Sequence, residues 1–189
     1  MGEPLLIRTG DIIFGQTTAT GSLFVESQAP RSSSAISLGT LDQDGRVVGW
    51  KPLSLSGGYG DPNPSWSPDS RQIAYVTRGV AGGRATVYLR NIDSGADREL
   101  YSGRLLSACV WAAQRPELYC GERPDLQTSE IISIAVDSGR VERLASPPGQ
   151  VFPRQPSRDD SALYLIRDNV LDASRVLRKW GIGSTRRLS

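Results

Sequence analysis

Asn63-Pro64-Ser65-Trp66-Ser67-Pro68-Asp69-Ser70-Arg71-Gln72-Ile73-Ala74-Tyr75 is the stretch on which the fold turns. A short extended run carrying Trp66 enters a Pro-Asp-Ser turn, and an apolar run, Ile73 to Val76, leaves it, which is the signature of a hairpin. About 45 residues later Trp111 stands where Trp66 stood and Leu118 where Ile73 stood. A further step of the same length brings Leu163, with Ser157-Arg158-Asp159-Asp160-Ser161 at the turn. A second landmark keeps the same interval. Asp93-Ser94-Gly95 returns as Asp137-Ser138-Gly139, and Arg98-Glu99-Leu100 returns as Glu142-Arg143-Leu144 and then Arg186-Arg187-Leu188. Two landmarks holding one period over three copies define a structural repeat.

Each unit parses into four strands, which in the clearest unit are Ser65–Ser67, Gln72–Thr77, Ala85–Ile92 and Asp97–Tyr101. Pro-Asp-Ser closes the first pair and Asp-Ser-Gly the last. Ala85-Thr86-Val87-Tyr88-Leu89 and Glu130-Ile131-Ile132-Ser133-Ile134 carry apolar side chains on both faces, as strands packed between two neighbouring sheets must. The expected fold is therefore all-β, with β-propeller blades of four antiparallel strands. Residues 63–106, 107–151 and 152–189 form three clear blades, and residues 1–62 a divergent first blade with an insertion, together one propeller domain. In that first unit Asp11 to Phe14 reads as the second strand, Ser34 to Leu41 as the third and Arg46 to Leu53 as the fourth, with Gln16 to Ser33 as an inserted hairpin or loop.

The Asn63–Tyr75 stretch resembles the WD40-like β-propeller repeat of TolB-type proteins, in which a Trp-Ser-Pro-Asp-Gly turn links the first two strands of each blade. Ser70 stands at the position of that family's glycine, and the later copies place Ala112-Ala113-Gln114 and Arg158-Asp159-Asp160 at the turn. The resemblance covers residues 63–189 and extends to 1–62 through the repeat. It implies a six-bladed ring, to which a chain of this length would contribute only a part, the alternative being closure as a small four-bladed ring. Open blade edges would then pair with missing blades or with another chain. Such repeats occur in periplasmic TolB, in gating domains of prolyl-oligopeptidase-like peptidases, and as sensor modules of bacterial kinases and transcription regulators. The resemblance therefore implies a bacterial, periplasmic or extracytoplasmic setting.

Composition removes several function classes. There is no histidine, so a Ser-His-Asp triad and imidazole zinc sites are absent. No serine lies in Gly-x-Ser-x-Gly, and neither Lys51 nor Lys179 follows a Ser-x-x-Lys spacing. The net charge of +2 gives no general case for nucleic acid. No apolar run is long enough for a membrane span, and no signal peptide is visible. Gly79 to Arg84 is glycine-rich, but two antiparallel strands flank it and no helix N-terminus follows to hold a phosphate. Asp159 and Asp160, like Asp42 and Asp44, read as turn residues and not as a carboxylate pair or metal site. Arg175, Arg178, Lys179, Arg186 and Arg187 read as solvated strand faces, and Trp180 as a residue packed between blades. The reading is of no catalytic residue, no metal and no cofactor.

Two features point toward function. If Ala113 to Pro116 is a four-residue hairpin loop, Trp111 opposes Leu118 and Cys109 faces Cys120. The two thiols are then either a disulfide, which would place the chain in an oxidising compartment, or a buried free pair. The longer connections, Ser56–Asn63, Arg78–Arg84, Gly121–Ser129 and Ser146–Arg154, all fall on one face, opposite the tight turns. Binding residues concentrate on loops held by a rigid scaffold. That face carries the candidates Tyr59, Asp61, Arg78, Arg84, Arg104, Glu122, Arg123, Asp125, Arg154 and Arg167. The expected function is a non-catalytic scaffold binding a protein or peptide there. The alternatives are the substrate-gating propeller of a peptidase whose catalytic domain lies elsewhere, a sensory propeller of a bacterial kinase or regulator, and a propeller enzyme using channel carboxylates.

Overall fold

A computed structural model describes residues 12–17, 22–28, 34–56, 63–78, 84–124, 129–144, 146–167, 170–175 and 185–187, with side chains within residues 36–166. All regular structure among them is β: four antiparallel sheets of four strands, each sheet an up-and-down meander. The first contains β1 (Ile12–Thr17), β2 (Ser22–Gln28), β3 (Ser34–Leu41) and β4 (Val47–Leu53). The second contains β5 (Ser65–Trp66), β6 (Gln72–Arg78), β7 (Ala85–Asn91) and β8 (Asp97–Gly103). The third runs from β9 (Leu106–Trp111) through β10 (Glu117–Glu122) and β11 (Glu130–Ala135) to β12 (Val141–Leu144). The fourth holds β13 (Val151–Pro156), β14 (Ala162–Arg167), β15 (Val170–Arg175) and β16 (Thr185–Arg187).

The first sheet corrects the strand assignment made from sequence. Ile12–Thr17 is its first strand, not its second, and the stretch read as an insertion supplies β2, which pairs with β1 on one side and β3 on the other. Ser22-Leu23-Phe24-Val25-Glu26 has the alternation of a strand, but no Trp or Pro-Asp landmark marks its turn. In the other sheets the strands follow the repeat, with β9 beginning at Leu106, but β13 begins at Val151, so Arg154, expected in the connection Ser146–Arg154, lies within that strand.

The sheets stack through three apolar layers, and alternation along the strands explains how one strand serves two of them. On β6, Ile73 and Tyr75 pack toward the first sheet with Ile36 and Trp66, while Ala74 and Val76 face the third. On β10, Leu118 and Cys120 face the second sheet and Tyr119 the fourth, where it meets Leu163 and Leu165. A fully buried aliphatic or aromatic side chain contributes roughly 1.5–3 kcal/mol, so these layers bind the sheets into one body. The first strands form the inner row, with β9 lying against both β5 and β13. Trp111 fixes that row by donating from Nε1 to the Ser65 carbonyl at 3.0 Å.

The turns repeat as closely as the strands. Gln72 N–H donates to Ser67 Oγ at 2.9 Å, and Ala162 N–H to Ser157 Oγ at 2.9 Å. Ser67 Oγ donates to Asp69 at 2.6 Å, and Ser157 Oγ to Asp159 at 2.6 Å. Ser70 and Asp160, which follow these aspartates, both adopt left-handed backbone (φ 61° and 55°), the conformation a glycine would adopt without strain. The third sheet's turn has Ala112 and Gln114 where its neighbours have serine and aspartate. Asp160 reaches across from the fourth sheet and accepts from Ala113 N–H at 2.7 Å and Gln114 N–H at 2.9 Å. A carboxylate from the next blade thus caps the turn that lacks its own.

Candidate functional site: the loop face

Cys109 and Cys120 stand opposite one another across β9 and β10, with Cα atoms 4.1 Å apart, and their sulfurs are bonded. The hairpin closes as Ala112 N–H donates to the Glu117 carbonyl at 2.9 Å. The bridge lies inside the apolar layer between the second and third sheets.

Above this layer, at the loop end of the same seam, several candidate residues meet. Glu122, the last residue of β10, is only 5% exposed. Its Oε1 accepts from the Tyr101 hydroxyl at 3.0 Å and from Arg104 N–H at 3.2 Å. Its Oε2 has Arg143 Nη2 at 3.8 Å and no hydrogen-bond partner among the described residues. Gly103 permits this arrangement, because a Cβ there would collide with Glu122 Oε1 and come within 2.7 Å of the Tyr101 ring. Burial, and then the bond to Glu122, push the Tyr101 hydroxyl above its usual pKa. Arg143 also donates to Glu130 at 2.8 Å, a bond that raises its own pKa. Arg84 donates to the Ser102 carbonyl at 2.6 Å and to Ser102 Oγ at 3.2 Å. Arg104 Nη1 donates to the Pro124 carbonyl at 3.3 Å.

The structure thus brings Arg84, Arg104 and Glu122 together, with Arg123 half-buried beside them and its N–H bonded to the Leu105 carbonyl at 3.3 Å. Arg78 is the exposed last residue of β6. Arg154 is exposed on β13 at a cleft of about 40 Å³ between the inner strands, near Asn63, Ser65 and Cys109. Arg167 ends β14 opposite Val151. Its side chain lies outside the described residues, as do Tyr59, Asp61, Asp125, Trp180 and most of the glycine-rich loop. Sequence reasoning missed Tyr101, Glu130 and Arg143. They sit on outer or third strands, and no local pattern tells that they meet Glu122.

On the opposite face two larger open crevices occupy equivalent places between sheets. One, of about 380 Å³, is bordered by Trp50, Trp66 and Ile92; the other, of about 390 Å³, by Trp111, Pro116 and Val136. Among the described residues no group of three or more Cys, Asp or Glu is placed to hold a metal ion, and no helix is long and apolar enough to cross a membrane.

No family model and no curated protein matches the sequence. Solved structures do match in three dimensions. TolB from Acinetobacter baumannii superposes with a TM-score of 0.69 at 20% identity, over 89% of this chain and 41% of that one. A protein described as TolB from Agrobacterium tumefaciens gives 0.70 at 18% identity, over 93% and 67%. The chain folds as blades of a β-propeller. The propeller domain of the Trilobed protease from Pyrococcus furiosus, of open velcro topology, gives 0.59 at 10% identity, over 94% of this chain and 57% of that domain. The blades described here span less than half of the Acinetobacter protein. At these identities the likeness fixes the propeller fold and leaves the choice among its uses to the site.

Proposed function

We propose that these blades form a non-catalytic scaffold that binds a protein or peptide on the loop face. The observation that carries this reading is the gathering of exposed Arg84 and Arg104 about the buried Glu122 at the loop end of the seam between the second and third sheets. On the turn face Asp69, Asp159 and Asp160 are taken up in hydrogen bonds that shape the turns themselves. On the loop face Arg78, Arg84 and Arg104, from two different connections, stand exposed on rigid strand ends. Charged groups presented to solvent by a rigid frame are suited to recognition. The disulfide supports an extracytoplasmic location, because such bonds persist in oxidising compartments. The likeness to the Pyrococcus protease's propeller domain favours one second reading, a propeller that gates access to a peptidase domain.

Site-specific photo-crosslinking in the native host tests the proposal. A photoreactive residue replaces Arg78 or Arg104 on the loop side, and Arg71 or Arg158 on the turn side. Adducts of defined mass from the loop-side positions alone are expected. Adducts only from the turn side would reject the reading. A peptidase domain crosslinked at Arg78 or Arg104 would decide for the gating alternative.

A further inference from the structure

Cationic side chains gather at the loop end of the seam between the second and third blades in a way that a structural latch does not need. Glu122, with Tyr101 and the Arg104 backbone, already joins the two blades. Around it stand Arg84, from the connection after β6, Arg104, from the link between β8 and β9, and Arg143, from β12. Arg143 Nη2 lies 3.8 Å from Glu122 Oε2, the Tyr101 hydroxyl donates to the other oxygen of that carboxylate, and Arg84 is bonded to Ser102, the residue after Tyr101. The carboxylates paired with these arginines among the described residues are Glu122, which is buried, and Glu130, and both pair with Arg143. Arg84 and Arg104 face backbone carbonyls and a serine, neutral partners that orient a guanidinium without cancelling its charge.

We infer that this seam, built on Arg84 and Arg104, docks an acidic segment of the partner protein. A guanidinium carries five N–H donors in a planar fork that matches a carboxylate. The bonds of Arg84 and Arg104 to Ser102 and Pro124 use only part of that capacity. This anchoring also reduces the side-chain freedom lost when a ligand binds, so less of the binding free energy goes into ordering the site. Two such groups on two chain segments favour two carboxylates spaced along an extended peptide over a single anion. The inference rests on the loop-face reading and names the chemistry of its partner.

Fluorescence anisotropy with short labelled peptides of alternating Glu-Gly, Lys-Gly and Ser-Gly sequence tests it on the full chain, with oligo-dT as a nucleic-acid probe. The Glu-Gly peptide binds, its affinity falling as salt is added, and the Lys-Gly and Ser-Gly peptides do not. The Arg84→Ala, Arg104→Ala double variant weakens Glu-Gly binding about tenfold or more. Arg84→Glu with Arg104→Glu abolishes it and creates affinity for the Lys-Gly peptide. Both residues are exposed, and an unchanged melting profile shows that the variants remain folded. Equal binding of Glu-Gly and Ser-Gly, indifference to both variants, or tighter binding of oligo-dT would overturn the inference. Loop-face crosslinks without Glu-Gly binding would reject the acidic partner and leave the scaffold reading standing.

Discussion

Asp160 combines a buried carboxylate with left-handed backbone, and each of these raises the free energy of the fold unless something offsets it. The offset is the pair of N–H bonds it accepts from Ala113 and Gln114, with Arg115 Nε at 3.5 Å. Asp160→Ala removes those bonds and keeps the backbone strain, so it should cost about 3 kcal/mol in urea unfolding. Asp160→Gly removes the bonds but relieves the strain, and should be about 1 kcal/mol less harmful. Equal losses in the two variants would show that the left-handed backbone carries no strain. Asp69 and Asp159 act within their own turns. The bond from Ser67 lowers the Asp69 pKa, and the bonds from Ser157 and Ser161 lower that of Asp159 to about 2. A carboxyl whose folded pKa lies below its unfolded value stabilises the fold above the unfolded value, near 3.8. That contribution is lost as pH falls from there toward 2. Asp69→Asn combined with Asp159→Asn should flatten the melting temperature over that window while lowering it at neutral pH. Sequence identified both as turn residues, since Asp bonding its own turn is local chemistry. It did not identify the cross-blade role of Asp160, because that partner lies on another blade.

Within the third blade, the disulfide and the Trp111 contacts make separable contributions. Cys109 and Cys120 close a loop 11 residues apart in sequence, for which the chain-entropy account gives roughly 3 kcal/mol. Reductant, or Cys109→Ala with Cys120→Ala, should lower stability by about that amount, and protein taken from its native compartment should carry no free thiol. A full complement of free thiols there would reject the proposed extracytoplasmic location. Trp111→Ala should cost about 3–5 kcal/mol, whereas Trp111→Phe, which keeps an aromatic ring and removes the bond to Ser65, should cost near 1 kcal/mol. The opposition of the two cysteines was legible because a four-residue hairpin fixes register outward from its loop. The strand order of the first sheet was not, since β2 has strand periodicity without the turn residues that punctuate the later blades. The seam around Glu122 was half legible. Position in the connections singled out Arg84, Arg104 and Glu122, while Tyr101 and Arg143 reach it only through sheet packing.

Across the whole molecule, one repeated unit generates three apolar layers and two unlike faces. Strands that present apolar side chains on both sides can be satisfied only between neighbouring sheets, and this made the propeller legible in Ala85–Leu89 and Glu130–Ile134. Partner chemistry was not legible in the same way, because a propeller serves many functions and only its surface distinguishes them. If the stacked blades are right, backbone protection must recur with the repeat. Amide hydrogen exchange followed by mass spectrometry measures this directly. Stacked blades give slow exchange in β6 and β7, again in β10 and β11, and faster exchange in the outer strands β4, β8 and β12, at an interval of about 45 residues. Protection confined to one continuous block, or outer strands as slow as the central ones, would contradict that stacking.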